Sequence, residues 1–323
     1  MGQQMRIKTL GILAAFLAGH AFAQSYPEKP ITWGSAMAVG GSTDLLARDL
    51  GQLVSKRLGQ AVVVEPMPGA GGGIAVQKVV GSRPDGYTFL FSSNSVIANQ
   101  VMKKNPDFDL RKNLLAVSAL FEGPTGIYIN PAVPAKTVQE FIAYLKSNPG
   151  KLNYGSSGTG SILHLVAEQF KHVTGTDIVH VPYKGGNPAF LDTISNQVQL
   201  VFSDTQPAYL KAAEAGRVRL LAVSARQRLP SMPDVPTVAE SGLPSFNPTF
   251  WFALYAPVGT PSSTINRVSA ELQAILTSAD GRQRFADKGY TASWMSPEAT
   301  QKRVADEIGV YASVISAARI ERD

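Results

Sequence analysis

Short apolar runs alternate with apolar stripes at helical spacing along most of this chain, and that alternation restricts the fold more than any other feature. Strand-like runs fall at 31–37, 61–65, 88–92, 125–130, 152–154, 178–181, 198–202 and 219–224. Helical stripes fall at 44–58, 73–81, 138–147, 162–174, 188–195, 207–215, 262–277 and 297–318. Strands separated by helices predict an α/β protein with parallel sheets. Val62-Val63-Val64 and Thr88-Phe89-Leu90-Phe91 are apolar without a break, which suits strands covered on both faces.

The first run of alternation ends near Phe121, and a second extends from Thr125 to Val223. A long apolar strand follows at 250–257, and after it the pattern reads as helices only. Helices without strands should pack back on the first domain. The expected division is residues 24–121 with 250–323 as one domain and 122–249 as the other, with a mainly parallel sheet in each. The chain would then cross between domains near Leu120 and again near Phe250, making a hinge with a ligand cleft beside it.

Residues 1–23 read as a secretory signal peptide. Arg6 and Lys8 precede an apolar run from Leu10 to Leu17, and Ala21-Phe22-Ala23 supplies a small-x-small cleavage site. The run is too short to span a bilayer. Cleavage is expected after Ala23. With no lipobox-like cysteine, the expected compartment is the periplasm of a Gram-negative bacterium. The chain has no cysteine at all, so an exported protein of this length depends on its core rather than on disulfides. The formal charge of +6 falls to +4 once Arg6 and Lys8 are removed (6 − 2 = 4). This small, scattered excess gives nucleic-acid binding little support and suits an anionic small ligand.

Loops rich in Gly and small hydroxyls follow several strands. Val39-Gly40-Gly41-Ser42-Thr43-Asp44 feeds a helix N-terminus, where unpaired N–H groups and the helix dipole can hold an anion. An ordinary capped turn is the plainer reading of that segment taken alone. Pro68-Gly69-Ala70-Gly71-Gly72-Gly73 is either a flexible turn or part of the same pocket. It lacks the dinucleotide fingerprint, because position 74 is Ile, and it lacks a Walker lysine. Ser92-Ser93-Asn94 ends a strand, and Tyr154-Gly155-Ser156-Ser157-Gly158-Thr159-Gly160-Ser161 precedes the helix carrying His164. Val181-Pro182-Tyr183-Lys184-Gly185-Gly186 and Phe202-Ser203-Asp204-Thr205 complete the set. Loops at the carboxyl ends of parallel strands share one edge of a sheet, where ligands bind. Asp204 is either a ligand-selecting carboxylate or the N-cap of the helix after it. His164 reads as a packing histidine within an apolar helix.

Catalysis lacks parts. There is no cysteine nucleophile, and the stretch 155–159 misses the nucleophile-elbow spacing because Thr159 stands where a glycine is needed. A Ser157–His164–Asp204 triad can be drawn, but no spacing selects it. His164 and Glu168 lie one turn apart without a second ligand pair, so no metal and no cofactor is expected.

In this order, these loops resemble the Bug family, also called the TctC-like extracytoplasmic solute receptors. The matching segments are Tyr26-Pro27-Glu28-Lys29-Pro30-Ile31, Gly40-Gly41-Ser42-Thr43-Asp44, Pro68-Gly69-Ala70-Gly71-Gly72 and Pro84-Asp85-Gly86-Tyr87-Thr88. Further on come Asn148-Pro149-Gly150-Lys151-Leu152-Asn153-Tyr154, Val179-His180-Val181-Pro182-Tyr183-Lys184-Gly185, Pro233-Asp234-Val235-Pro236-Thr237 and Gly259-Thr260-Pro261. The resemblance implies a two-domain periplasmic binding protein of the Venus-flytrap type that holds a small carboxylate between its domains. It also implies that the protein is not an enzyme. Carried onto this chain, the ligand-binding positions are Gly40, Gly41, Ser42, Thr43, Asp44, Ser156, Ser157, Gly158, Tyr183, Lys184, Gly185 and Asp204, with Met37, Ser92, Ser93 and His164 completing the candidate set. The implied partners are the membrane subunits of a tripartite tricarboxylate transporter, and a monomer is expected. A receptor that signals to a membrane sensor, or an exported enzyme acting on a carboxylate, are the alternatives. One departure lies beside the expected pocket: Ser35-Ala36-Met37-Ala38-Val39 replaces the family's usual Val-Pro-Phe-Ala-Pro. Two fixed prolines are lost and a flexible Met replaces a ring.

Overall fold

The computed structural model describes residues 26–225, 227–229, 232–317 and 320–322. The expected signal peptide and its cleavage site lie outside the described residues. No helix among the described residues is long and apolar enough to cross a membrane.

The chain opens with β1 (Ile31–Ser35), α1 (Ser42–Leu58), β2 (Val62–Pro66), a 3₁₀ turn (Ala70–Gly72) and α2 (Gly73–Val80). It continues through β3 (Thr88–Ser93), α3 (Ser95–Met102), α4 (Leu110–Asn113) and the long β4 (Leu114–Ile129). Next come α5 (Val138–Ser147), β5 (Asn153–Ser156), α6 (Ile162–Thr174), β6 (Val179–Pro182), α7 (Gly186–Ile194), β7 (Leu200–Asp204), α8 (Pro207–Glu214) and β8 (Arg219–Val223). β9 (Thr249–Pro257), α9 (Ser262–Leu276), α10 (Ala279–Ala286), β10 (Thr291–Met295) and α11 (Pro297–Ala317) follow.

The strands run β2-β1-β3-β9-β4-β7-β5-β6, with β8 and β10 also paired to β4. The outer strands are parallel, as expected: β1 lies between β2 and β3, and β5 between β6 and β7. Around β4 every pairing is antiparallel. β4 changes partner midway. Pro124 still faces Thr249 of β9, while Thr125 already faces Asp204 of β7. One strand therefore belongs to both lobes, and the chain returns to the first lobe at β9.

Local sequence explains these elements. In α1, Leu46, Ala47, Leu50, Val54 and Leu58 form a buried stripe, and Gly59 ends the helix in the left-handed region with its N–H on the Ser55 carbonyl. Asp44 in the first turn and Lys56 and Arg57 in the last complement the helix dipole. Leu50→Ala would empty part of this core at a cost of ~2–5 kcal/mol. The central strands bury Trp33, Phe89, Phe91, Phe121, Trp251 and Phe252. The rings stack or meet edge to face, as between Trp33 and Phe91 or Phe121 and Phe252.

Three expectations need correction. The segment after β9 is not helical throughout, because β10 pairs antiparallel with β4. The strand expected at 125–130 is only the end of β4, which starts at Leu114. Helix α3 was not anticipated: all eight of its residues are buried, Ser95, Asn99 and Gln100 included, so it has no solvent-facing side to mark it.

Candidate functional site

Where β4 changes partner, loops from the two lobes face each other across a narrow cleft. From the first lobe come Met37, Ala38 and the start of α1, Gly41, Ser42 and Thr43. From the second come Ser157 and Leu163, the start of α7 at Gly185, Gly186 and Asn187, then Ser203, Asp204 and Tyr209. Phe250 of β9 closes one side.

Two helices begin at this cleft without a side-chain cap. The N-cap of α1 is Gly41, that of α7 is Gly185, and neither helix has a capping side chain. The exposed amides and the helix dipoles place about half a positive charge at each N-terminus. The described lining contains no Lys or Arg, so an anion here would be held by amides and hydroxyls rather than by a counterion. Glycine at 185 also lets the lobes meet, since a Cβ there would sit 3.2 Å from that of Ala38.

The first loop is fixed from within. The Gly40 N–H donates to Asp44 Oδ2 at 3.1 Å, and Arg48 Nε donates to Asp44 Oδ1 at 3.0 Å. Asp44 is buried and spent on this task, so it shapes the loop rather than facing the cleft.

Asp204 is the buried acid of the cleft wall. Its Oδ2 accepts from the Tyr290 hydroxyl at 2.5 Å, and Tyr128 donates to its backbone carbonyl at 3.1 Å. Burial raises its pKa, while hydrogen bonds from Ser42, Tyr290, Ser203 and Gln206 oppose the rise. Burial, followed by the Asp204 charge, pushes the Tyr128, Tyr209 and Tyr290 hydroxyls well above their ordinary value. Ser42 and Tyr290 belong to the first lobe and Asp204 to the second, so this carboxylate joins the lobes. It does not cap α8, whose N-cap is Gln206.

Of the residues expected at the site, Met37, Gly41, Ser42, Thr43, Ser157, Gly185 and Asp204 line the cleft. The others lie behind or beside it. Gly40 and Asp44 brace the first loop. Ser92 and Ser93 are buried, with the Ser92 hydroxyl donating to the Ser93 carbonyl and Ser93 Oγ accepting the Ser95 N–H. Ser156 and Gly158 bond to one another through the Gly158 N–H and Ser156 Oγ. His164 is buried beneath them, with Nδ1 accepting the Gly160 N–H at 3.2 Å. Tyr183 donates to Asp192 at 2.7 Å, and burial and that contact push its hydroxyl up to about 12. Lys184 points into solvent. Ala38, Gly186 and Ser203, from loops the sequence marks, also line the cleft, while Leu163, Asn187, Tyr209 and Phe250 were missed altogether. The position of Asn187 in the first turn of a helix after Gly-Gly was the available signal. The other three read as ordinary core residues.

A larger groove of about 520 Å³ lies between α6 and α11, beside Pro248 and Thr249. Its charged groups are already engaged, Lys302 with Asp306, Arg303 with Glu122 and Glu307 with the Trp251 and Tyr311 donors, and it lacks the uncapped helix ends. The narrow cleft leaves only about 30 Å³. Ligand pockets usually run to ~300–1,000 Å³, so the cleft as it stands is narrower than such a pocket.

This fold and cleft define a receptor of the α/β periplasmic-binding-protein class. Residues 46–320 match the tripartite tricarboxylate transporter family receptor, and the chain belongs to that family of non-enzymatic solute-binding receptors. It is 34% identical to BugT of Bordetella pertussis over 307 residues, covering 94% of each chain. Its structure is similar to that of R. palustris Rpa4515 with adipate, at a TM-score of 0.88 and 32% identity over 92% of this chain and 100% of that one. It is also similar to MatC from Rhodopseudomonas palustris with bound malate, at a TM-score of 0.85 and 29% identity over 90% of this chain and 100% of that one.

Proposed function

We propose that this protein is a periplasmic receptor that closes two domains over a small carboxylate and delivers it to the membrane subunits of a tripartite tricarboxylate-type transporter. The observation that carries this reading is the pair of uncapped N-termini, of α1 and α7, brought to one cleft from opposite lobes without a lining cation. The adipate and malate of the two relatives are of the matching chemistry. The signal peptide read at residues 1–23 supports export. The partner change of β4 at Pro124 and Thr125 supports a domain of residues 24–121 with 250–323 and a second of 122–249. The site so assigned comprises Met37, Gly41, Ser42, Thr43, Ser157, Gly185 and Asp204, extended by Asn187 and Ser203.

A thermal-shift panel of mono-, di- and tricarboxylates tests the reading. A ligand at 100 times its dissociation constant adds ~2.7 kcal/mol and raises the melting temperature. Shifts with neutral sugars and none across the carboxylates would overturn it.

A further inference from the structure

Three rings are stacked under the Ser156–Ser161 loop. Tyr154 lies on His180 at 4.9 Å between centroids, and His180 lies on His164 at 4.0 Å with planes 9° apart. Both histidines reach the loop. His180 Nε2 is 2.6 Å from Ser156 Oγ, which in turn accepts the Gly158 N–H at 3.1 Å. His164 Nδ1 accepts the Gly160 N–H. We infer that His164 and His180 are positioning residues that hold this loop in its binding shape, His164 through a lone pair on Nδ1.

Other ties hold the ends of the loop, the Tyr183 N–H on the Ser156 carbonyl and the Ile162 N–H on Ser95 Oγ, so the histidines act on its middle. Gly158 sits at φ +125°, a conformation that other residues rarely adopt and that glycine itself does not favour over its alternatives, so neighbours must select it. With the amides of Gly158 and Gly160 directed inward, and that of Ser161 on the Gly158 carbonyl, Ser157 is the loop residue left in the cleft wall. The same shape makes the contact with the opposite lobe. A Cβ on Gly71 would lie 3.0 Å from the Thr159 carbonyl oxygen, and one on Gly158 would lie 3.3 Å from the Gly71 nitrogen. The brace therefore sets both a ligand contact and the fit of the closed lobes.

An N–H donor at Nδ1 requires that atom to be unprotonated, so the neutral ring carries its proton on Nε2. Burial, then the nearby Lys171 charge, lowers the pKa of His164 to about 4. The groups around it are His180 from β6, Tyr154 from β5, Glu168 and Lys171 from its own helix, and the Asn99 amide of α3 near Gly160. Protonation would set two donors against each other at Gly160.

The binding part of this inference rests on the carboxylate-receptor reading; the loop part does not. Imidazole proton–nitrogen correlation spectra of the whole mature protein should show His164 as the Nε2–H tautomer at neutral pH, and the Gly160 amide should be protected from exchange. His164→Leu keeps an apolar filler but removes the acceptor. His164→Asn puts an oxygen near the former Nδ1 position. Leu should reduce Gly160 protection and the affinity for adipate or malate by about 10-fold each, the scale of one lost hydrogen bond, and Asn should recover most of both. An Nδ1–H tautomer in the wild type overturns the inference even if His164→Leu does not fold. So does a folded Leu variant with unchanged Gly160 protection, or an Asn variant as impaired as Leu. If neither probe binds the wild type, the functional reading is what suffers, while the tautomer and exchange results still decide the brace.

Discussion

The Gly40–Asp44 loop and the Ser156–Ser161 loop face each other across the cleft and read alike in sequence, as small residues before a helix. They are secured in opposite ways. The first is tied by an acid within its own helix, Asp44, and leaves the N-terminus of α1 uncapped at the cleft. The second is tied by rings from behind, and its helix α6 is capped by Ser161, whose Oγ accepts the His164 N–H. Similar composition thus serves two tasks. One loop offers a helix end to an anion, while the other offers side chains and a rigid contour.

That contrast can be broken experimentally. The largest effect should come from Asp44→Ala. It strands the Gly40 amide and frees Arg48, so carboxylate affinity should fall by ~100-fold in calorimetry and stability by ~1–3 kcal/mol in denaturant titration. Unchanged affinity would show that the first loop needs no internal tie.

Acid should act on the second loop. His164 has a folded pKa near 4, below the ordinary 6.5, so the unfolded chain binds the extra proton first. The stability this contributes is complete above about pH 6.5 and is lost as pH falls through about 4, amounting to up to ~3 kcal/mol. Melting curves of wild type and His164→Asn across that window should differ in slope, with the wild type falling more steeply.

Tyr290→Phe removes a donor from the buried Asp204 carboxylate and should cost ~1–3 kcal/mol. Because the contact joins the lobes, the ligand-free protein should also become larger in small-angle scattering. A stability loss without any change in size would make Asp204 a local packing group. The smallest effect should come from Ser161→Ala, where losing the cap of α6 should lower stability by ~1 kcal/mol and leave the first loop untouched. Amide exchange in the two loops would show whether they respond separately.

Much of this was legible in the chain. Helices α5 and α6 are strongly amphipathic, and periodicity located both. The loops of the cleft were found because glycine and small hydroxyls mark strand-to-helix turns. What was not legible depended on tertiary surroundings. Helix α3 is only eight residues long and enclosed on all sides, so it lacks the exposed face that marks a surface helix. β10 is short and partly exposed, and its pairing with β4 is irregular near Met295. Which hydroxyls and amides face the cleft depends on the direction of each bond. Hence His164 could be placed near the loop from sequence, but not beneath it.

The continuity of β4 has a consequence for folding. Each half of that strand takes its hydrogen bonds from a different lobe, so melting either lobe frays a strand that runs without a break into the other. Because the lobes share this strand, their unfolding should be coupled, with probes in the two lobes giving coincident transitions.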